Sequence, residues 1–199
     1  MVKQHIPILV DEILSYIPDQ ARTLADGTFG HGGHTLSFIK HFFGSDITLF
    51  LQCYDRDHIV IEHGKQRVQD EYPQVPPHIT VEYINDTYAQ MFSHAPVEKF
   101  DFILLDLGIN REHVTDNRRG FSFQGEGPLD MRFDTTSGKT AYEIIQESSL
   151  DELKRRFIEY GDFREKRADD IAHLIYTNKK NPLLMTTTGF TQLLKEIKI

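Results

Sequence analysis

The sequence has a single cysteine, Cys53, among its 199 residues. One cysteine excludes an internal disulfide, and its place inside an apolar run is typical of a buried structural thiol. This cysteine usage suits a reducing compartment, so we expect a cytoplasmic protein. No apolar run approaches the roughly 20 residues that a membrane-spanning helix needs. The amino terminus lacks a signal-peptide core and an arginine-rich presequence, so we expect no membrane partner.

The sequence also lacks an excess of basic residues, because its formal net charge is −8. A large phosphate-binding surface normally leaves a basic footprint, so this balance argues mildly against one. Basic residues are nevertheless concentrated in two stretches of the second half. The two stretches contain Arg111, Arg118, Arg119 and Arg132, then Lys154, Arg155, Arg156, Arg164, Lys166 and Arg167. A solvated helix face explains the second stretch most simply, but local basic patches are compatible with nucleic-acid binding.

The first half of the chain alternates between strand-like and helix-like patterns. Apolar runs predict four strands, at residues 23–26, 47–54, 79–84 and 100–107. Helical spacing predicts helices at residues 8–16, from the turn after the first strand to about residue 43, and at 59–68. The second run is continuously apolar, which is typical of a strand buried on both faces. Strands that alternate with helices favour a parallel sheet with right-handed crossovers, so we predict an α/β fold.

The second half has a different pattern. Residues 109–139 show little periodicity and indicate a loop, whereas the residues from 141 onwards predict helices only. Ser149 and Glu152 form a capping-box pattern at the start of one helix, and the threonine run at 186–188 offers an N-cap to the last one. The predicted segments are a core at residues 1–110, a motif-bearing loop at 111–139 and a helical subdomain at 140–199.

The most informative segment is a glycine-rich turn between the first strand and the next helix, Asp26-Gly27-Thr28-Phe29-Gly30-His31-Gly32-Gly33-His34. Such a turn builds a cofactor cradle in an α/β sheet, because glycines let the backbone approach the ligand and amide groups point at it. The glycine spacing fits neither the G-x-G-x-x-G pattern of dinucleotide sites nor the P-loop. S-adenosylmethionine carries no phosphate and needs neither pattern, so we predict it as the cofactor. No further Cys/His pair with ligand spacing supports His31 and His34, so we predict no metal.

Polar residues also follow the other three strands, and ligands of an open parallel sheet bind beyond those ends. Asp55, after the second strand, is placed to accept hydrogen bonds from both ribose hydroxyls. Its alternative duty, capping the next helix, suits Asp57 better. Tyr88, after the third strand, would cover an adenine face or pack in the core. Asp106 ends the strand that we predict to be the most buried, where a carboxylate is costly and tends to be functional.

Several long motifs, in the same order along nearly the whole chain, resemble those of the RsmH (MraW) methyltransferases. They are His5-Ile6-Pro7-Ile8-Leu9, Asp26-Gly27-Thr28-Phe29-Gly30, Gly32-Gly33-His34, Asp55-Arg56-Asp57, Leu104-Leu105-Asp106-Leu107-Gly108, Arg119-Gly120-Phe121-Ser122-Phe123, Gly127-Pro128-Leu129-Asp130-Met131-Arg132, Glu159-Tyr160-Gly161 and Thr186-Thr187-Thr188. That family methylates the exocyclic N4 of a cytosine in the decoding centre of bacterial 16S rRNA. The resemblance therefore implies 16S rRNA, in the small ribosomal subunit, as the partner. It also implies the first four strands of a Rossmann-like class I methyltransferase sheet, with an inserted all-helical subdomain for substrate recognition.

The resemblance carries over onto seven residues as contacts of S-adenosylmethionine. They are Gly32, Gly33, His34, Asp55, Tyr88, Asp106 and His113. The motifs mark no catalytic group, although Asp106 is a candidate acceptor for a proton of the cytosine N4. Asn110 and Arg111 stand where the family has two serines, and His113 stands at a glutamine position where it can still donate a hydrogen bond. The loop at residues 120–132 suits either base stacking with phosphate contact, through Phe121, Phe123, Arg119 and Arg132, or a lid over the cofactor.

Family members continue beyond the position of Ile199 with the remaining strands of the sheet, so the chain is either a fragment or naturally short. An unfinished sheet would leave the flank of the fourth strand open, which favours pairing with a partner chain, for example in a homodimer, or poor solubility. Two rival functions remain. The missing G-x-G-x-x-G pattern counts against a dehydrogenase, whereas Asn110, Arg111 and the short chain make a non-catalytic ribosome-binding module plausible.

Overall fold

The computed structural model describes residues 7–95 and 97–195, which form two compact units. The first unit runs up to Gly108 and the second begins at Ile109. His5 and Ile6 of the first motif lie outside the described residues. The three-segment division made from the sequence stays a prediction. Within the described residues, no helix combines the length and the apolar character that a bilayer crossing requires.

The first unit is a four-stranded parallel sheet with flanking helices, so the predicted α/β fold is confirmed. Its elements are α1 Val10–Ser15, β1 Thr23–Asp26, α2 Gly33–Phe42, β2 Leu49–Tyr54, α3 His58–Glu71, β3 Ile79–Ile84, a 3-10 turn Tyr88–Gln90, α4 Met91–His94 and β4 Phe102–Leu104. The strand order is β3-β2-β1-β4. The register places Asp26 opposite both Cys53 and Leu104, so the carboxyl ends of these strands lie at one edge of the sheet.

The core of this unit forms where β1 and β2 bury their apolar side chains against α2 and α3. Leu24, Phe38, Leu51 and Ile61 are at most 2% exposed in this cluster. Each such side chain contributes roughly 1.5–3 kcal/mol to folding. Because every face of the two inner strands is covered, their tips are held in fixed positions.

The fourth strand is shorter and more exposed than the sequence predicted. It spans only Phe102–Leu104, and Ile103 is 40% exposed. The prediction that it is the most buried strand is wrong, because the sheet order places it at an edge; β2 is the buried one. A continuous apolar run does not by itself distinguish an inner strand from an edge strand.

The second unit is helical. Its elements are α5 Arg111–Thr115, a 3-10 turn Asn117–Arg119, α6 Ala141–Glu147, α7 Leu150–Glu159, α8 Glu165–Thr177, a 3-10 turn Pro182–Met185 and α9 Thr187–Leu194. The capping box of Ser149 with Glu152 is confirmed, as is the Thr186 side chain as the cap of α9. The loop-like segment predicted at 109–139 contains one short helix that the sequence did not predict, because an Asn110 capping box starts α5 there.

Segment 119–132 is built into the second unit. Leu129 is 3% exposed and packs in the helical core, among Leu153, Ile175 and Leu184. Its amide donates to the Met185 carbonyl at 3.0 Å. Shared hydrogen bonds and apolar contacts therefore hold this irregular segment to the helices that follow it.

Candidate functional site

Backbone hydrogen bonds join the tips of β1, β2 and β4 at the carboxyl edge of the sheet. The amide of Gly27 donates to the Leu104 carbonyl, and that of Phe29 donates to the Tyr54 carbonyl, each at 2.9 Å. The Asp106 amide donates to Oγ1 of Thr28 at 2.7 Å. Hydrogen bonds therefore connect the ends of three strands at the edge that the sequence predicted as the ligand site.

Asp55 holds the glycine-rich turn from the tip of β2. Its Oδ2 accepts from the Gly30 amide at 2.9 Å, and its Oδ1 accepts from the Asp57 amide at 2.8 Å. Asp57 caps α3, because its Oδ1 accepts from the amides of Ile59 and Val60. The division of duties predicted for the two carboxylates is thus confirmed for Asp57. Because a carboxylate only accepts hydrogen bonds, the contact of Asp55 with ribose hydroxyls stays a chemically suitable prediction.

The glycines of the turn allow close packing against protein neighbours. Gly30 and Gly32 have φ values of 54° and 74°, which favour glycine. A Cβ on Gly33 would lie 3.2 Å from the ring of Pro7, and one on Gly32 would lie 3.1 Å from the ring of Phe29. The positive φ of Gly32 and the close approach of Pro7 to Gly33 favour glycine at these positions, and the contact of both with a cofactor stays a prediction.

The two histidines of the turn have different surroundings. His34 is buried in the first turn of α2, and its Nε2 lies 3.0 Å from the Ile8 carbonyl oxygen. The ring of His31 stacks on that of His63 in α3, with centroids 6.4 Å apart. The side chain of Arg67 donates to the His31 carbonyl at 3.2 Å. His34 therefore anchors the amino-terminal segment, and its predicted cofactor contact stays a prediction.

Asp26, at the end of β1, is a candidate functional residue. The sequence analysis named it only as part of the glycine-rich turn. It is fully buried, and burial raises its pKa from 3.8 to about 6. Its Oδ2 accepts from the Thr35 hydroxyl at 2.8 Å, and its Oδ1 accepts from the Thr28 amide at 3.3 Å. Thr35 Oγ1 also lies 3.3 Å from Sγ of Cys53, whose pKa is raised by burial. A carboxylate between an apolar strand and a glycine turn was the available signal.

Tyr88 and Asp106 both lie at the carboxyl edge. Tyr88 is 38% exposed, and its Cβ lies 3.0 Å from the position of a Cβ on Gly27 at the tip of β1. Asp106 is exposed, contrary to the prediction, because β4 is an edge strand. Asp106 therefore does not bear the cost of a buried charge, and its carboxylate is accessible.

His113 belongs to the second unit, where it is 3% exposed. Its Nδ1 accepts from the Asn110 amide at 3.3 Å, which completes the capping box of α5. Its ring packs against Phe121 and Phe133, with centroids 5.2 and 5.0 Å away. These contacts give His113 a structural role, and its predicted contact with the cofactor stays a prediction.

The two arginines of segment 119–132 are engaged in its internal structure. Arg119 is buried and donates to the carbonyls of Arg132 and Phe133. Arg132 forms a two-point ion pair with Asp130 at 2.8 Å, which lowers the pKa of that carboxyl. Phe123, in contrast, is 66% exposed. Of the side chains predicted for stacking or phosphate contact, Phe123 is the most available.

A sequence profile described as the MraW methylase family matches residues 2–198. The chain belongs to the MraW methylase family. The chain is 39% identical over 163 residues to "Ribosomal RNA small subunit methyltransferase H" of Polynucleobacter necessarius, a match covering 82% of the chain and 47% of the relative.

Two further relatives carry the same name. The protein of Methylobacillus flagellatus is 35% identical, over 94% of the chain and 56% of the relative. That of Caldicellulosiruptor bescii is 31% identical, over 98% of the chain and 61% of the relative. The chain thus spans about half the length of these curated relatives.

Proposed function

We propose that this chain binds S-adenosylmethionine at the carboxyl edge of β1 and β2. We further propose that it forms part of an enzyme that methylates the exocyclic N4 of a cytosine in the decoding centre of 16S rRNA. The observation that carries the proposal is the Asp55 carboxylate, which the Gly30 amide orients at 2.9 Å against the glycine-rich turn. Family membership and the names of the relatives support the reaction class.

The residues at this edge suit a phosphate-free nucleoside. Asp55 would accept hydrogen bonds from the ribose hydroxyls, because a carboxylate at the tip of a parallel strand is well placed for a ribose and accepts several hydrogen bonds through its two oxygens. The half-exposed ring of Tyr88 offers an apolar face for adenine. Gly32, Gly33 and His34 would line the methionine end. When bound, S-adenosylmethionine supplies an electrophilic methyl group.

The protein's share of the reaction is positioning and proton acceptance. The N4 lone pair of cytosine is delocalised into its ring, so the nitrogen is a weak nucleophile that must be held in line. Such alignment contributes several kcal/mol to lowering the barrier, on the order of what oriented intramolecular reactions gain. The N4 nitrogen must also lose a proton, and the exposed Asp106 carboxylate is our proposed acceptor. A base in folded RNA has to be splayed out to reach such a group.

A binding experiment tests the cofactor site. Asp55→Asn should weaken S-adenosylmethionine binding about tenfold or more in calorimetry, since losing a charged acceptor costs about 1.5–3 kcal/mol. Asp70→Asn is the matched control, because Asp70 is exposed in α3 and accepts from Gln66. Equal affinities for the Asp55 variant and the wild type would refute the site.

A methyl-transfer experiment tests the reaction. Small ribosomal subunits from cells that lack this modification are incubated with the protein and labelled S-adenosylmethionine. Asp106→Asn should reduce incorporation about a hundredfold, as is typical when a general base is lost. Cofactor binding without incorporation by the wild type would instead favour the non-catalytic ribosome-binding module.

A further inference from the structure

The glycine-rich turn and α3 are in direct contact at His31. Gly64 of α3 lies so close that a Cβ there would sit 2.6 Å from the Gly30 carbonyl oxygen. One residue before it, His63 stacks its ring on that of His31, and one helical turn after His63, Arg67 donates to the His31 carbonyl. The helix therefore brings two imidazoles together that are far apart in the sequence.

The two imidazole rings have an arrangement suited to sharing one ion. Their planes are within 21° of parallel, with centroids 6.4 Å apart. A ring nitrogen of His31 and one of His63 lie within 4.8 Å of each other. Zinc binds imidazole nitrogen at about 2.0–2.1 Å, so two nitrogens on one ion are at most about 4 Å apart. His63 is exposed, so a small side-chain rotation is enough to close the difference.

We propose that His31 and His63 form a binding site for a divalent transition-metal ion of the kind that prefers imidazole, such as Zn²⁺ or Ni²⁺. Neutral imidazole is a common ligand of these ions, whereas Mg²⁺ and Ca²⁺ prefer oxygen. Water or other oxygen donors complete the coordination. The sequence pairs His31 with His34 by spacing, but Nε2 of His34 lies 3.0 Å from the Ile8 carbonyl oxygen.

The position of the site gives the ion a consequence for the turn. His31 lies between Gly30 and Gly32, the two residues of the turn with positive φ. An ion held by both imidazoles would link this turn to α3, and so restrict the segment that we assign to the methionine end of the cofactor. This consequence rests on the proposed function, but metal binding itself does not.

A titration without S-adenosylmethionine tests the site. Untagged protein is titrated with Zn²⁺ and, separately, with Ni²⁺ in a calorimeter. His31→Asn and His63→Asn should each weaken metal binding at least about tenfold. Loss of a residue that only hydrogen-bonds to a metal ligand already lowers metal affinity about tenfold or more, and these variants lose the ligand itself. His41→Asn is the control, since His41 is an exposed histidine of α2. Circular dichroism checks that each variant is folded.

The metal titration has results that support the site and results that overturn it. Weaker binding in both site variants, with the His41 variant unchanged, supports the site. Absence of binding in the wild type, or unchanged affinity in a folded His31 or His63 variant, overturns it. Failure of this titration leaves the Asp55 binding experiment unaffected, so the two proposals can fail separately.

Discussion

The buried carboxyl of Asp26 makes the stability of the first unit depend on pH. Burial raises its pKa from 3.8 to about 6, and hydrogen bonds from Thr35 and Thr28 offset only part of that shift. Between these two values the folded protein holds a proton that the unfolded chain has released. The contribution of the protonated Asp26 carboxyl to the unfolding free energy is therefore complete below pH 3.8, and it is lost as the pH rises through about 6.

Asp26→Asn should remove this pH-dependent contribution. From pH 3.5 to pH 7.5 the wild type should lose roughly 2–3 kcal/mol of unfolding free energy that the variant does not lose, because one pKa unit corresponds to about 1.4 kcal/mol. Urea denaturation at a series of pH values measures the difference. Parallel stability curves for the two proteins would contradict the prediction.

Residue-level predictions succeeded where the signal was local and failed where it depended on the sheet order. The sequence distinguished Asp57 as a cap from Asp55 because helix starts have a short-range signature. The exposure of Asp106 follows from β4 being an edge strand, and no short-range pattern encodes the strand order. The contact of His31 with His63 depends in the same way on how α3 packs.

At the scale of elements, the contact between α3 and the glycine-rich turn depends on Gly64. A Cβ there would lie 2.6 Å from the Gly30 carbonyl oxygen, a backbone atom that cannot move alone. Alanine is the better helix former by about 1 kcal/mol, so a purely helical effect would stabilise the variant. The steric conflict should exceed that gain.

Gly64→Ala should therefore lower the unfolding free energy by roughly 1–3 kcal/mol, the usual cost of overpacking. Gly44→Ala is the matched control, because a Cβ there meets no atom within 4 Å. Chemical denaturation followed by circular dichroism compares the two variants. A Gly64 variant as stable as the wild type would show that α3 can shift away from the turn.

Element predictions from the sequence were close for the regular segments. The bounds of β1 and β3 agree with the predicted 23–26 and 79–84, since apolar runs flanked by turns define them. The short helix α5 was missed because a capping box, and no apolar periodicity, holds its five residues. Capping signals without periodicity deserve more weight in such segments.

For the whole molecule, the exposed edge strand β4 leads us to expect association between chains. Within the described residues β4 pairs only with β1, and Ile103, Leu105 and Leu107 are 40–66% exposed. An apolar edge with unpaired backbone groups invites pairing with another chain. The first unit therefore presents a surface suited to association.

We predict that this 199-residue chain self-associates as its concentration rises. Ile103→Lys should reduce the association, because an edge lysine opposes pairing of strands. Ile59→Lys is the control, since Ile59 in α3 has a similar exposure of 41%. Size-exclusion chromatography with light scattering measures the mass. A monodisperse wild-type monomer would rule out this use of the edge.

Cys53 of β2 is a natural probe of how often the core of the first unit opens. Its thiol is fully buried, and burial raises its pKa, so the reactive thiolate scarcely forms in the folded state. The Thr35 hydroxyl of α2 lies 3.3 Å from Sγ, so an alkylating reagent must wait until the packing of α2 on the sheet opens. The labelling rate of this lone sulfur would report how often that core opens, with no dye or engineered probe.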